Sequence, residues 1–133
     1  LLGQVTGDKA REQLVFGVSI SKDSRALGTL FDLARHDSSA AARGQALFWI
    51  GQKAGARVAD TLTQAVRDDP DTDVKTRAVF ALSRLPKDEG IPRLIDIART
   101  NRNPQVRKQA MFWLGQSKDP RALVFFETVL SAK

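Results

Sequence analysis

Ala42-Arg43-Gly44-Gln45-Ala46-Leu47-Phe48-Trp49-Ile50-Gly51-Gln52 and Val106-Arg107-Lys108-Gln109-Ala110-Met111-Phe112-Trp113-Leu114-Gly115-Gln116 are two copies of one pattern, 64 residues apart. A weaker copy, Val74-Lys75-Thr76-Arg77-Ala78-Val79-Phe80-Ala81-Leu82-Ser83-Arg84, lies midway, so the period is 32 residues. One period earlier, Ala10-Arg11-Glu12-Gln13-Leu14-Val15-Phe16-Gly17-Val18-Ser19 fits the same frame. The linkers give a separate check. Ser21-Lys22-Asp23-Ser24-Arg25-Ala26-Leu27 and Ser117-Lys118-Asp119-Pro120-Arg121-Ala122-Leu123 agree at six of seven positions, three periods apart. A fixed period in this range marks stacked supersecondary units that bury their apolar faces against one another.

Each unit reads as two helices. The second, helix B, is expected over about 8–20, 40–53, 72–85 and 104–117. Asn103 before Pro104 is an N-cap followed by proline at the first helical position, and Asp71 and Ser39 occupy the same frame. The first, helix A, is expected over about 24–36, 56–68, 90–100 and 120–132, with apolar residues at helical spacing such as Leu27, Leu30, Phe31 and Ala34, or Ile91, Leu94, Ile95 and Ala98. The linkers are short and rich in Lys, Asp, Gly and Pro, as in Pro86-Lys87-Asp88-Glu89-Gly90.

Composition narrows the class. With 133 residues the chain can form one domain with a sizeable core, and 42% apolar against 27% charged residues argues against bulk disorder. The absence of cysteine excludes disulfides and thiolate metal sites. No run reaches the ~18 apolar residues of a membrane span, and the first residues lack the basic and apolar regions of a signal peptide. The net charge of +6 admits an acidic protein or nucleic acid as partner, yet the cations are spread along the chain as a solvated surface would have them.

The pattern Val106-Arg107-x-x-Ala110-x-x-x-Leu114-Gly115, preceded by Asn103-Pro104, resembles the second helix of HEAT repeats, in the short bacterial form also seen in phycobilisome-lyase-like proteins. The resemblance covers nearly the whole chain. It implies an all-α fold, a right-handed α-solenoid of about four two-helix repeats, with helices B lining the concave surface. It also implies that the basic column Arg11, Arg43, Lys75 and Arg107 pairs with loop residues such as Asp71, Asp73 and Asn103, fixing the register of the repeats. It does not supply an activity, because the same fold serves scaffolds, transport receptors and lyase subunits. Residues 1–6 fall where the tail of a helix A belongs, and Phe125, Phe126, Val129 and Leu130 form a helix A with no helix B after it. Residues 1–133 are therefore expected to be a single repeat domain and a fragment of a longer protein.

On an ideal wheel with Val106 at the origin, Ala110, Leu114 and Met111 share one side of helix B, whereas Phe112 falls at about 240°. Its column holds Phe16, Phe48, Phe80 and Phe112, one per repeat. At roughly 10 Å per repeat the row would span about 30 Å, the length of an extended peptide or partner helix. Trp49 and Trp113 sit on the border between core and surface; Gln45, Arg77 and Gln109 form a neighbouring column, and Gln52, Arg84 and Gln116 another. Aromatic and arginine residues beside amides are common at interface hot spots. The aromatic column has two readings, packing between repeats or a binding stripe, and contact with a missing part of the parent is a third.

Chemistry is sparse. The lone histidine, His36, ends a helix A, and no cluster of ligands for zinc or glycine-rich phosphate loop is present. Asp69, Asp71 and Asp73 imitate the start of a calcium loop, but Val74 and Phe80 stand where Gly and Glu are required. The sequence therefore points to a non-catalytic scaffold without cofactor that holds a protein or peptide through Phe16, Phe48, Phe80, Phe112, Trp49, Trp113, Arg77, Arg84, Gln52 and Gln116. The alternatives are binding of a nucleic-acid backbone by the basic curved surface and a subunit of a bilin-lyase-like enzyme.

Overall fold

The computed structural model describes residues 15–17, 26–52 and 56–131. These are helical apart from short loops, and no strand occurs among them. The elements are α1 (Ala26–His36), α2 (Ala40–Gly51), α3 (Ala56–Asp68), α4 (Thr72–Ser83), α5 (Lys87–Thr100), α6 (Pro104–Ser117) and α7 (Pro120–Ser131). Odd-numbered helices are helices A and even-numbered ones helices B. Of the first helix B only residues 15–17 are described, and they are helical. Arg11, the linker over 21–25, residues 1–6 and the side chain of Leu27 lie outside the described residues.

The three predicted caps begin three helices. Ser39 Oγ accepts the N–H of Ala42, Asp71 Oδ1 accepts those of Asp73 and Val74, and Asn103 Oδ1 accepts those of Gln105 and Val106. Each satisfies helix-start donors that have no partner within the helix. Asn103 also donates from Nδ2 to Thr72 Oγ1 at 3.1 Å, tying one cap to the preceding repeat.

Helix α5 begins at Lys87, three residues before the predicted start. Pro86 is its N-cap, and Asp88 and Glu89 lie in the first turn, where negative charge is favoured. Gly90 is not a linker glycine. A Cβ there would collide with the Leu82 carbonyl oxygen, so glycine at 90 lets α5 lie close against the end of α4. At the next hairpin Lys118 takes a left-handed conformation, φ 55°, to close α6.

The wheel's buried stripe is correct in every described repeat. Ala42, Ala46 and Ile50, then Val74, Ala78 and Leu82, then Val106, Ala110 and Leu114, have essentially no exposed surface. Helices A complete the core with Leu30 and Phe31, with Val58 and Leu62, and with Ile91 and Leu94. Neighbouring helices B pack side by side along much of their length, whereas neighbouring helices A touch at only a few residues. Helices B therefore lie on the inside of the curve. Helix α7 exposes Leu123, Val124 and Leu130; one period earlier, Ile91 and Ala98 are buried.

The basic column locks the repeats, with partners other than those predicted. Arg43 is buried; its Nη1 donates to the Asp37 carbonyl at 2.9 Å, while Nε and Nη2 reach the two carboxylate oxygens of Asp69 at 2.9 and 3.3 Å. Arg107 repeats the first contact, Nη1 to the Asn101 carbonyl at 2.7 Å. Asp71 and Asn103 are not these partners, because their side chains are engaged as caps. The acids and amides one step earlier, Asp37, Asp69 and Asn101, take the backbone N–H of residues 39, 71 and 103. The Lys75 side chain, lacking a forked head group, makes no hydrogen bond or ion pair among the described residues.

Two tests follow from these contacts. Arg43→Met leaves a buried carboxylate uncompensated and should cost about 3 kcal/mol in urea unfolding, with Asp69→Asn added to it recovering part of the loss. At the start of α7, Arg121 donates through its side chain to both oxygens of Asp119, and its backbone N–H donates to one of them. These bonds hold the Asp119 carboxyl down at about 2. The group's folded value lies below its unfolded one, so its stabilisation is complete above 3.8 and is lost as pH falls from there through about 2. A carbon-detected NMR titration should place the Asp119 midpoint near 2, and Arg121→Gln should move it up towards 3.8.

Candidate functional site: the aromatic face of helices B

Helix B turns one side fully into the core, so residues two positions before the last buried leucine or isoleucine face away from it. Phe16, Phe48 and Phe112 are 48%, 38% and 52% exposed, and Phe80 is half-buried. The predicted row faces solvent, but it is not a uniform ladder. Trp49 lies 5.5 Å from Phe16 and 5.0 Å from Phe48; Trp113 lies 5.0 Å from Phe80 and 4.9 Å from Phe112. The rings thus gather into two clusters, each a tryptophan between the phenylalanine of its own repeat and that of the repeat before. Edge-on and tilted ring pairs at these separations are favourable. Both tryptophans also rest against the core.

Between the clusters, Phe48 and Phe80 make no ring contact, and the reason lies in the residue after each phenylalanine. Repeats with Trp49 and Trp113 alternate with repeats that have Gly17 and Ala81 there. Where α2 meets α4 the space a tryptophan would need is closed. A Cβ on Gly51 would stand 2.9 Å from the Ala81 Cβ. The Phe-Gly, Phe-Trp, Phe-Ala, Phe-Trp alternation is visible in the sequence and would have revealed the pairing.

Arg77 crosses from α4 onto α2 at Gly44, where a Cβ would come 2.7 Å from Arg77 Cδ and 2.8 Å from Nη1. The Arg77 side chain is exposed and makes no hydrogen bond or ion pair among the described residues, and the same holds for the Arg84 side chain at the end of α4. Arg84, Gln116, Phe80 and Trp113 line one cavity of about 200 Å³, joined by Lys87, whose Nζ donates to the Ser117 carbonyl at 3.0 Å. The structure therefore brings together four of the predicted site residues. Gln52 is exposed at the end of α2, outside this cavity.

Two further cavities lie on the other side, between successive helices A, and are equivalent by the repeat: one is lined by Ala34, Arg35, Gln64 and Asp69, the other by Val66, Arg67, Asp96 and Asn101. The first, about 270 Å³, has Asp69 of the Arg43–Asp69 pair in its wall; the second, about 680 Å³, has Lys75 and Asn101 at the same rung. His36 lines the first cavity and is exposed.

Burial separates packing from display. Trp113→Ala, which removes a ring resting on the core, should cost roughly 2 kcal/mol. Phe112→Ser, at a ring half open to solvent, should cost under about 1 kcal/mol with helicity unchanged. Urea unfolding followed by circular dichroism measures both.

A search of curated proteins finds no match to this sequence. The family description HEAT repeats matches residues 26–110 and 59–133, overlapping spans that together cover all seven helices. The matched spans hold the capped helices B, their buried stripe and the basic lock described above. The chain belongs to the HEAT-repeat family.

Proposed function

We propose that residues 1–133 form one repeat domain that acts as a non-catalytic scaffold, holding a protein or peptide segment on the concave face of helices B. HEAT repeats generally serve protein interaction. The observation that carries the reading for this chain is the pair of aromatic clusters. Three phenylalanines keep more than a third of their surface in water, although the core beside them is closed without them. Exposed apolar surface of this kind, rimmed by arginine and glutamine, is characteristic of binding sites. Rings pinned by a neighbouring tryptophan lose little further freedom when a partner covers them, which favours affinity. Phe16, Phe48, Phe80 and Phe112 provide the anchors, Trp49 and Trp113 hold them, and Arg77, Arg84, Gln52 and Gln116 supply polar contacts at the rims.

The test is affinity capture with the wild type beside a Phe48→Ser/Phe112→Ser variant whose helicity and melting are unchanged. A protein retained by the first and lost by the second supports the concave face. Identical captures would move the binding surface elsewhere on the solenoid.

A further inference from the structure

The two layers of the solenoid differ in charge. Helices A of the described residues carry seven basic residues (Arg35, Arg57, Arg67, Lys87, Arg93, Arg99, Arg121) and seven acids (Asp32, Asp60, Asp68, Asp88, Glu89, Asp96, Glu127), so they balance. Helices α2, α4 and α6 carry Arg43, Lys75, Arg77, Arg107 and Lys108 against Asp73 alone. Arg43 is neutralised by Asp69, and Arg107 is held by a backbone carbonyl. Arg77 is not committed in this way, and neither is Arg84 just past α4. Arg77, Phe80 and Arg84 are spaced three and four residues apart, on one face of one helix.

The seat of Arg77 adds a separate observation. Glycine in a helix interior costs stability, and at position 44 its missing side chain is the room that the Arg77 stem occupies. The cation is thus positioned by packing, while its head group has no counter-charge among the described residues. At the same two columns the flanking repeats carry Gln45, Gln109, Gln52 and Gln116, so within these columns of the described repeats arginine stands only on α4 and at its end, with Arg84 beside the Phe80–Trp113 cluster.

We propose that this face selects an acidic peptide segment, with carboxylates placed against Arg77 and Arg84 and apolar residues seated on the aromatic cluster at either side. The proposal rests on the concave-face reading above and adds the chemistry of the occupant. The clusters are two repeats apart, roughly 20 Å, which an extended chain covers in about six residues. A nucleic-acid backbone suits the face less well, because phosphates follow one another along the whole groove whereas the uncommitted arginines of this face stand in one repeat.

The probe is a labelled peptide Phe-Ser-Glu-Ser-Glu-Ser-Phe, whose extended form puts both rings and both carboxylates on one side, compared with its Lys-for-Glu counterpart and with a single-stranded oligothymidylate, by fluorescence anisotropy. The acidic peptide should bind and the basic one should not. Arg77→Gln/Arg84→Gln, which installs the residues the neighbouring repeats already have, should weaken binding at least about tenfold. Gly44→Ala pushes Arg77 from its seat and should weaken binding several-fold while stability holds or rises. Equal binding of both peptides, lost in Phe48→Ser/Phe112→Ser, would keep the aromatic groove and overturn its selection of acids. Binding of the acidic peptide that ignores the phenylalanine substitutions would overturn the groove itself. Stronger binding of oligothymidylate, or no peptide binding at about 1 mM, would overturn the proposal.

Discussion

Ala46, Ala78 and Ala110 sit at the centre of the buried stripe of three successive helices B, each with no surface left to solvent. A methyl group at that point lets neighbouring helices approach closely, and the flanking valine, isoleucine and leucine fill the remaining space. The rest of the geometry depends on this spacing. Tight rows of helices B and looser rows of helices A bend the stack, and the bend makes helices B the inner wall. With the stripe already filled, the bulky residue two positions before its last member has no room in the core, so the phenylalanine column is turned outward.

Charge then fixes register on that frame. The buried Arg43 reaches its own loop at Asp37 and the next loop at Asp69, so two repeats share one set of hydrogen bonds. A forked guanidinium can serve both loops at once, which the point charge of Lys75 does not do one rung later. The exposed pairs Arg93–Asp60 and Arg121–Asp88 also join successive repeats, but exposed ion pairs contribute little. Of the arginines on the described helices B, Arg43 and Arg107 are thus engaged with the loops, whereas the side chain of Arg77, like that of Arg84 at the end of α4, is not.

Much of this was legible in the residues. The period, the caps at Ser39, Asp71 and Asn103, the buried stripe and the outward phenylalanines all follow from local chemistry repeated at fixed spacing. What escaped depends on contacts between elements. Gly90 reads as a linker until the Leu82 carbonyl is seen against it, and the partners of the basic column are displaced by two residues because capping claims the nearer side chains. The pairing of rings into two clusters was written in the Gly17, Trp49, Ala81 and Trp113 alternation, yet its meaning depends on the closure between Gly51 and Ala81. The room that Gly44 gives Arg77 has no sequence signal beyond a glycine inside a helix. Function stayed coarse for a physical reason: a binding face is defined by what complements it, and that complement belongs to another molecule.

Both tryptophans of the chain stand in the aromatic clusters, so their fluorescence reports on this face alone. The most direct measurement is the emission of Trp49 and Trp113 while a bound segment is titrated in. A binding face built on these clusters predicts a shift of the emission to shorter wavelength that saturates together with binding, as water is displaced from both rings. Binding that saturates with the emission unchanged would place the partner on another surface and contradict the account.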